Sequence, residues 1–283
     1  MRVIAPGKLV LTGAYAVLDG APAIVAAVDR YAISDGRSPA NVDVSALHDE
    51  QGRKLGLGSS AASLVAALGS RAVARGEDPR SARVRAEIYR AARAAHAREQ
   101  GGGSGVDVAA SVFGGVLRYA IGEAAPVMAP VDLPSELVLA AYWSGKSART
   151  SDLRARVDVL KATKPRSSVF DRLGELAENA AAAVDAGDAK AFIAWASAFG
   201  GALGALGIAA DAPIVLPAFA ELASIAQGEA AAFLPSGAGG GDVAIWLGTG
   251  RPSAAFERRA EALGLRPLTI SIDQGGVRPE SLS

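Results

Sequence analysis

The chain has 283 residues, enough for two domains at roughly 100–200 residues each. Half of it is hydrophobic and a fifth is charged, and 29 basic residues balance 29 acidic ones, so no global field recruits nucleic acid or an anionic membrane. The absence of cysteine excludes disulfides, thiolate nucleophiles and cysteine-built zinc or iron–sulfur sites, and His48 and His96 are too few for a histidine-built metal site.

The opening run, Val3 to Leu11, reads as an apolar strand interrupted at Pro6-Gly7, which puts Lys8 at a bend. Because the run breaks at Pro6, the N-terminus does not read as a secretory signal, and a cytoplasmic protein is expected. A second apolar run covers Ala23 to Val28, and residues 34–55 are turn-rich with at most one short strand around Val42 and Val44. A helix is predicted from Ser59 to about residue 73, with Leu64, Val65, Leu68 and Ala72 on one face. Asp78-Pro79 supplies a cap and a first-turn proline for the next helix, which ends at Gly101. Its arginines at 83, 85, 90, 93 and 98 alternate with Glu87 and Glu99 and read as a solvated face rather than a nucleic-acid surface. A short helix, Val106 to Phe113, and a strand, Val116 to Ala120, follow across Gly114-Gly115.

Three prolines and little periodicity between Gly122 and Pro134 place a domain boundary there, giving domains 1–130 and 131–283. The second half opens with a strand, Leu137 to Trp143, followed by helices at about 151–162, 168–186, 188–206 and 213–227. A strand at Val243 to Leu247, a helix at 252–263 and a strand at Leu268 to Ile272 complete the chain. Ala191 to Ala210 is twenty residues without a charge, but eight alanines and four glycines make it only weakly apolar. It reads as a buried helix followed by a turn, with no membrane partner expected. Strands mixed with helices in both halves indicate an α+β protein.

Three glycine-rich segments border predicted elements. In Gly56-Leu57-Gly58-Ser59-Ser60-Ala61-Ala62, glycines let the backbone approach an anion while the free N–H groups of the first helical turn point at it. One serine can also offer an oxygen to Mg²⁺. No Gly-Lys-Ser/Thr follows, so this is not a Walker loop, and the plain alternative is a tight turn with a serine cap. The second segment, Gln100 to Asp107, sets a carboxylate just past a glycine loop, where it can cap the helix or face a substrate hydroxyl. The third, Pro235 to Asp242, spends three successive glycines directly before a strand.

Together with Ala5-Pro6-Gly7-Lys8 and Gly13-Ala14-Tyr15-Ala16-Val17-Leu18, the first and third glycine segments resemble the three ordered motifs of the GHMP kinase superfamily. The form of the phosphate loop, the run from Gln100 to Ser111 with His96 upstream, and Trp143-Ser144-Gly145-Lys146-Ser147-Ala148-Arg149-Thr150-Ser151 are similar to the phosphomevalonate kinase group. The resemblance implies a ribosomal S5-like N-terminal domain and a ferredoxin-like C-terminal domain. It implies ATP and Mg²⁺ as cofactors and transfer of the γ-phosphoryl group to 5-phosphomevalonate, in a monomer or homodimer.

In residues, it implies Lys8 as charge stabiliser paired with Asp107, and Asp107 as the group that orients the acceptor oxygen. Gly56, Leu57, Gly58, Ser59, Ser60 and Ala61 would hold the nucleotide phosphates, with Ser60 on the metal. Ser104, Gly105, Ser144, Lys146, Ser147, Arg149, Thr150, Ser236, Gly237, Ala238 and Gly239 would join Lys8 around the substrate. Three departures stand out. Ala14 lies where the family usually has an acid, Leu234 where phosphomevalonate kinases usually carry lysine, and the stretch 19–55 is shorter than usual. A mevalonate kinase or another small-alcohol kinase, and a catalytically silent ligand-binding homologue, remain as alternatives.

Overall fold

The computed structural model describes residues 1–35, 41–99, 102–147, 150–164 and 168–280. Ten strands and eight α-helices are present among them: β1 (Arg2–Thr12), β2 (Ala23–Asp35), β3 (Val42–Asp43), α1 (Ser59–Ala74), α2 (Ala82–Glu99), α3 (Val106–Phe113), β4 (Val116–Ala120), β5 (Val127–Val131), β6 (Val138–Trp143), α4 (Thr150–Thr163), α5 (Ser168–Asp185), α6 (Ala189–Ala209), α7 (Pro217–Gly228), β7 (Ala232–Pro235), β8 (Val243–Gly248), α8 (Ala254–Ala262), β9 (Arg266–Leu268) and β10 (Arg278–Pro279). One sheet runs β10-β1-β2-β4-β5 with β3 on β2; the other runs β7-β8-β6-β9. The α+β class stands.

The chain divides into two compact units. Unit 1 holds residues 1–9, 25–117 and 270–283, and unit 2 holds 10–24 and 118–269. This is not the single break near residue 130 that the prolines indicated. The C-terminal strap returns to unit 1 because β10 pairs antiparallel with β1, Val3 opposite Pro279 and Ile4 opposite Arg278. Residues 10–24 belong with unit 2 because the Val10 N–H donates to Ser236 Oγ, the Tyr15 hydroxyl to the Ala238 carbonyl, and Lys161 pairs with Asp19.

In unit 1, α1 presents small residues inward, with Ala61, Ala62, Val65, Ala66 and Ala72 fully buried. A Cβ on Gly69 would meet Val3 at 2.9 Å and Val277 at 2.8 Å, so the helix lies close against both terminal segments. The strap is knotted by buried Asp273, which accepts from Gly275 and Gly276 N–H, from Arg278 and from the Tyr31 hydroxyl. Burial pushes the Asp273 carboxyl pKa up, but Arg278, Tyr31 and the Gly276 N–H outweigh it and hold it below the usual carboxylate range.

In unit 2, β8 pairs antiparallel with β6 over six positions from Val138 opposite Gly248 to Trp143 opposite Val243. Beneath α7 and α8 an aromatic core stacks edge-on, with Phe256 5.3 Å from Phe233 and 4.7 Å from Trp246 between ring centroids. Helix α6 is long and apolar enough to cross a membrane by length and composition alone. Here Phe192, Phe199, Leu203 and Leu206 are fully buried in unit 2, and α6 packs on α5 and β7.

Four local expectations are corrected. Strand β1 is continuous through Pro6-Gly7, so Lys8 lies within a strand and not at a bend. Gly7 answers a close approach instead: a Cβ there would stand 2.7 Å from the Leu57 carbonyl oxygen. The helix expected from Asp78 begins at Ala82, because Asp78 spends its carboxylate on the Arg80 N–H and the Ser81 hydroxyl accepts from Val84. The expected boundary stretch contains strand β5, with Pro130 tolerated because β5 lies at the sheet edge. Finally, the last long strand is β9, at Arg266–Leu268 rather than 268–272.

Candidate active site

Unit 1 brings two of the sequence motifs together. Lys8 is buried in β1, with only 6% of its surface exposed, and its backbone N–H donates to the Leu57 carbonyl at 2.9 Å. Its ammonium donates to the Gly56 carbonyl at 3.3 Å. The lysine therefore runs along the inside of the 56–58 loop. A Cβ on Gly58 would stand 3.0 Å from Lys8 Cγ, so the glycine makes room for the lysine stem as well as supplying φ +78°.

Gly58 caps α1 in the left-handed conformation, and no side chain caps that end. The first intrahelical bond of the turn runs from the Ala62 N–H to the Gly58 carbonyl. The N–H groups of Ser59, Ser60 and Ala61 are thus open at the positive end of a 16-residue helix, beside a buried cation. This is an arrangement for an anion of phosphate type. Ser60 is half-buried and its hydroxyl has no hydrogen bond among the described residues. No cluster of three His, Asp or Glu side chains exists among the described residues. A divalent ion here would take Ser60 as its protein ligand and the rest from phosphate oxygens and water, a donor set that suits Mg²⁺.

Helix α3 carries half-buried Asp107 in its first turn. Asp107 does not cap the helix: the Val106 N–H goes to Ser104 Oγ at 3.3 Å, and buried Gly105 takes the cap position at φ +83°. The helix is pinned to β1 by Ser111, whose buried hydroxyl donates to the Pro6 carbonyl at 2.7 Å, two residues before Lys8. No ion pair joins Lys8 to Asp107; the ammonium is turned onto the loop carbonyl instead. Ser111 was not among the expected site residues, and its place in the apolar face of an eight-residue helix gave no sign of a polar role.

Unit 2 brings together the other two sets. The Ser144 N–H donates to the Asp242 carbonyl at 2.9 Å and the Asp242 N–H to the Lys146 carbonyl at 2.7 Å, so the 143–147 segment and the third glycine loop are stitched by backbone. Gly240 N–H donates to the Ile214 carbonyl at 2.9 Å, and a Cβ on Gly239 would collide with that same oxygen. From the other side the Tyr15 hydroxyl donates to Ala238 at 2.7 Å. Tyr15 itself sits at φ 63°, ψ −49°, a strained backbone for a tyrosine, and burial pushes its pKa up.

Ser236 is buried, and its hydroxyl already accepts from Val10 N–H at 2.9 Å. Gly237 is buried and Ala238 half-buried, whereas Lys146, Ser147 and Thr150 are exposed; Arg149 lies outside the described residues. Leu234, the position without the expected lysine, is 1% exposed in β7, facing Ile245 across the sheet and Gly200 of α6. An apolar residue is what that enclosure accepts. Ala14 is likewise buried.

Residues 23–115 match the GHMP kinases N terminal domain. A phosphomevalonate kinase of Streptomyces sp. (strain CL190) is 29% identical over 258 residues, covering 81% of this chain and 67% of that protein. Among solved structures, the Lin0012 protein from Listeria innocua superposes with a TM-score of 0.85 at 21% identity, over 98% of both chains. Streptococcus pneumoniae phosphomevalonate kinase in complex with phosphomevalonate and AMPPNP superposes with a TM-score of 0.79 at 17% identity, over 96% of this chain and 99% of that one. One segment of the chain thus matches the GHMP kinases N terminal domain, and the chain shares the fold of these solved structures.

Proposed function

We propose that the protein is an ATP-dependent kinase that transfers a phosphoryl group to 5-phosphomevalonate, giving 5-diphosphomevalonate. The observation that carries this reading is the buried Lys8 ammonium inside the open 56–58 loop, next to three uncapped N–H groups of α1. A cation buried with only a carbonyl for partner is stabilised by an anion arriving beside it. Likeness to phosphomevalonate kinases, in sequence and in fold, supports the choice of acceptor.

In this reading the α1 turn and Gly58 hold the nucleotide phosphates and Ser60 holds Mg²⁺, which when bound neutralises phosphate charge. Lys8 leaves the Gly56 carbonyl for the transferring group and stabilises the charge spread over its equatorial oxygens. Asp107 orients the acceptor oxygen. A phosphate monoester has its second pKa near 6, so at pH 7 little deprotonation is needed and Asp107 acts by position rather than as a strong base.

The test is ADP release with Mg²⁺–ATP and, in turn, 5-phosphomevalonate, mevalonate, homoserine and galactose. Release that depends on 5-phosphomevalonate, with a diphosphate product by mass, is expected. Turnover of mevalonate alone would overturn the acceptor, and silence with all four would overturn the kinase reading. Ser60→Ala should raise the Mg²⁺ concentration needed for half-maximal turnover; an unchanged requirement would move the metal elsewhere.

A further inference from the structure

Helix α2 carries five arginines, and one of them differs from the rest. Arg83 pairs with Glu77 and Glu87, Arg85 donates to the Phe113 and Gly275 carbonyls, Arg90 donates to the Ala86 carbonyl, and Arg98 is exposed. Arg93 is half-buried and has neither a hydrogen bond nor an ion pair among the described residues. Its stem lies across the residue that opens α3: Cγ, Cδ and Nε stand 3.0, 3.0 and 3.1 Å from where a Cβ on Gly105 would be. Any side chain at 105 would displace the arginine.

Two residues beyond Gly105 is Asp107, also half-buried and also without a hydrogen bond or ion pair among the described residues. No ion pair or hydrogen bond joins Arg93 to Asp107 among the described residues. A guanidinium on a half-buried stem with no protein acceptor keeps five N–H donors for a ligand, and its planar fork matches the oxygens of a phosphate. Lys8, by contrast, is engaged with the nucleotide loop through Gly56.

We propose that Arg93 binds the phosphate already present on the acceptor, so that the α2–α3 corner selects a phosphomonoester over the free alcohol. The proposal rests on the phosphoryl-transfer reading for the identity of the acceptor. It assigns Arg93 to substrate binding and Asp107 to the reacting oxygen, which separates the two charges by function. The second ionisation of the monoester, near pH 6, then sets the strength of the contact, since the dianion is the better partner for a fixed cation.

The test is calorimetric binding of 5-phosphomevalonate, mevalonate and ATP to the wild-type protein, Arg93→Met and Arg93→Lys, between pH 5 and 8. Methionine keeps a stem over Gly105 and removes every donor; lysine keeps the charge and loses the fork. Arg93→Met should weaken 5-phosphomevalonate binding about 10- to 100-fold, with Arg93→Lys between it and wild type. Mevalonate affinity, ATP affinity and melting temperature should hold, and the rise in 5-phosphomevalonate affinity across pH 6 should flatten in Arg93→Met. Unchanged 5-phosphomevalonate affinity in Arg93→Met would overturn the proposal, as would an equal loss of ATP affinity, which would mark a packing role. If the wild-type protein binds 5-phosphomevalonate but transfers nothing to it, the kinase reading fails while the binding series still judges Arg93. If it does not bind 5-phosphomevalonate at all, both fall.

Discussion

Two glycine-rich loops of this chain look alike on paper and are held in place differently. In unit 1, the 56–58 loop leaves its donors open: among the described residues three N–H groups of α1 are uncapped, and the Lys8 ammonium has the Gly56 carbonyl as its one partner. In unit 2, the 236–242 loop spends part of its polar groups internally, and the N–H groups of Gly237, Ala238, Gly239 and Gly241 make no hydrogen bond among the described residues. The Ser236 hydroxyl, the Ala238 carbonyl and the N–H groups of Gly240 and Asp242 all have protein partners. Gly58 makes room for the Lys8 stem in the first loop, and Gly239 makes room for the Ile214 backbone in the second. Composition does not separate the two; the account of where each N–H and C=O goes does.

The strongest way to break this comparison is to empty the open loop of its cation. Lys8→Met should lower turnover with 5-phosphomevalonate about 10³-fold while the melting temperature holds, because methionine still fills the space beside Gly58. Asp107→Ala should lose about 10²-fold in turnover with ATP binding intact, since this side chain makes no hydrogen bond or ion pair among the described residues. Single-turnover ADP release with parallel nucleotide titration measures both. A loss of ATP binding in Asp107→Ala would remove its assignment to the acceptor.

The support behind α3 gives the next effect. Asp273 knots the strap whose backbone receives the Gly115 N–H at 2.6 Å, just past the helix. Asp273→Asn should cost about 3 kcal/mol at pH 7, because Arg278 loses its carboxylate partner and keeps only the Gly276 carbonyl and the Tyr31 hydroxyl among the described residues. Since the folded-state pKa of Asp273 is depressed, its stabilisation is complete above the unfolded carboxylate value near 4 and is lost as pH falls through the folded value. Wild-type stability should therefore fall more steeply than that of Asp273→Asn below about pH 4, read by urea titration.

Alanine at the glycines sharpens the comparison further. Gly239→Ala meets the Ile214 backbone at φ +77° and should cost about 2–3 kcal/mol of stability. Gly58→Ala, at φ +78°, meets only a flexible lysine stem, so its stability cost should be about 1 kcal/mol while turnover falls more. Equal stability losses would erase the distinction between a knitted loop and an open one. The smallest effect belongs to Tyr15→Phe, which removes one buried hydrogen bond to Ala238 and should cost about 1 kcal/mol.

Much of this molecule was legible beforehand, and the reasons are local. Helix α1 starts at Ser59 and α3 spans Val106–Phe113 as the apolar spacing and flanking glycines indicate, and α4 to α8 fall within a few residues of the periodic segments. The phosphate loop announces itself because glycines followed by small residues and a helix have few other uses. Two of the local misreadings, by contrast, involve the wider fold. Pro6-Gly7 reads as a break, yet it is a strand kept narrow for the Leu57 carbonyl, fifty positions away. Pro130 reads as a linker until β5 is seen at a sheet edge that needs no N–H from it.

What the sequence determined alone is therefore the inventory: helices with a buried face, the glycines, a lysine, an aspartate and two serines in order. Periodicity and capping act over a few residues, so they survive without a fold. Tertiary structure decided how far each glycine loop is stitched to the rest of the protein, because that depends on Tyr15, Ile214 and Lys146 arriving from far along the chain. It also decided that Lys8 is buried beside the 56–58 loop, and that Arg93 lies across Gly105 with no partner among the described residues. A hydrogen-bond donor is available to a ligand only if no other part of the protein reaches it first, and that is settled by packing over long sequence distances.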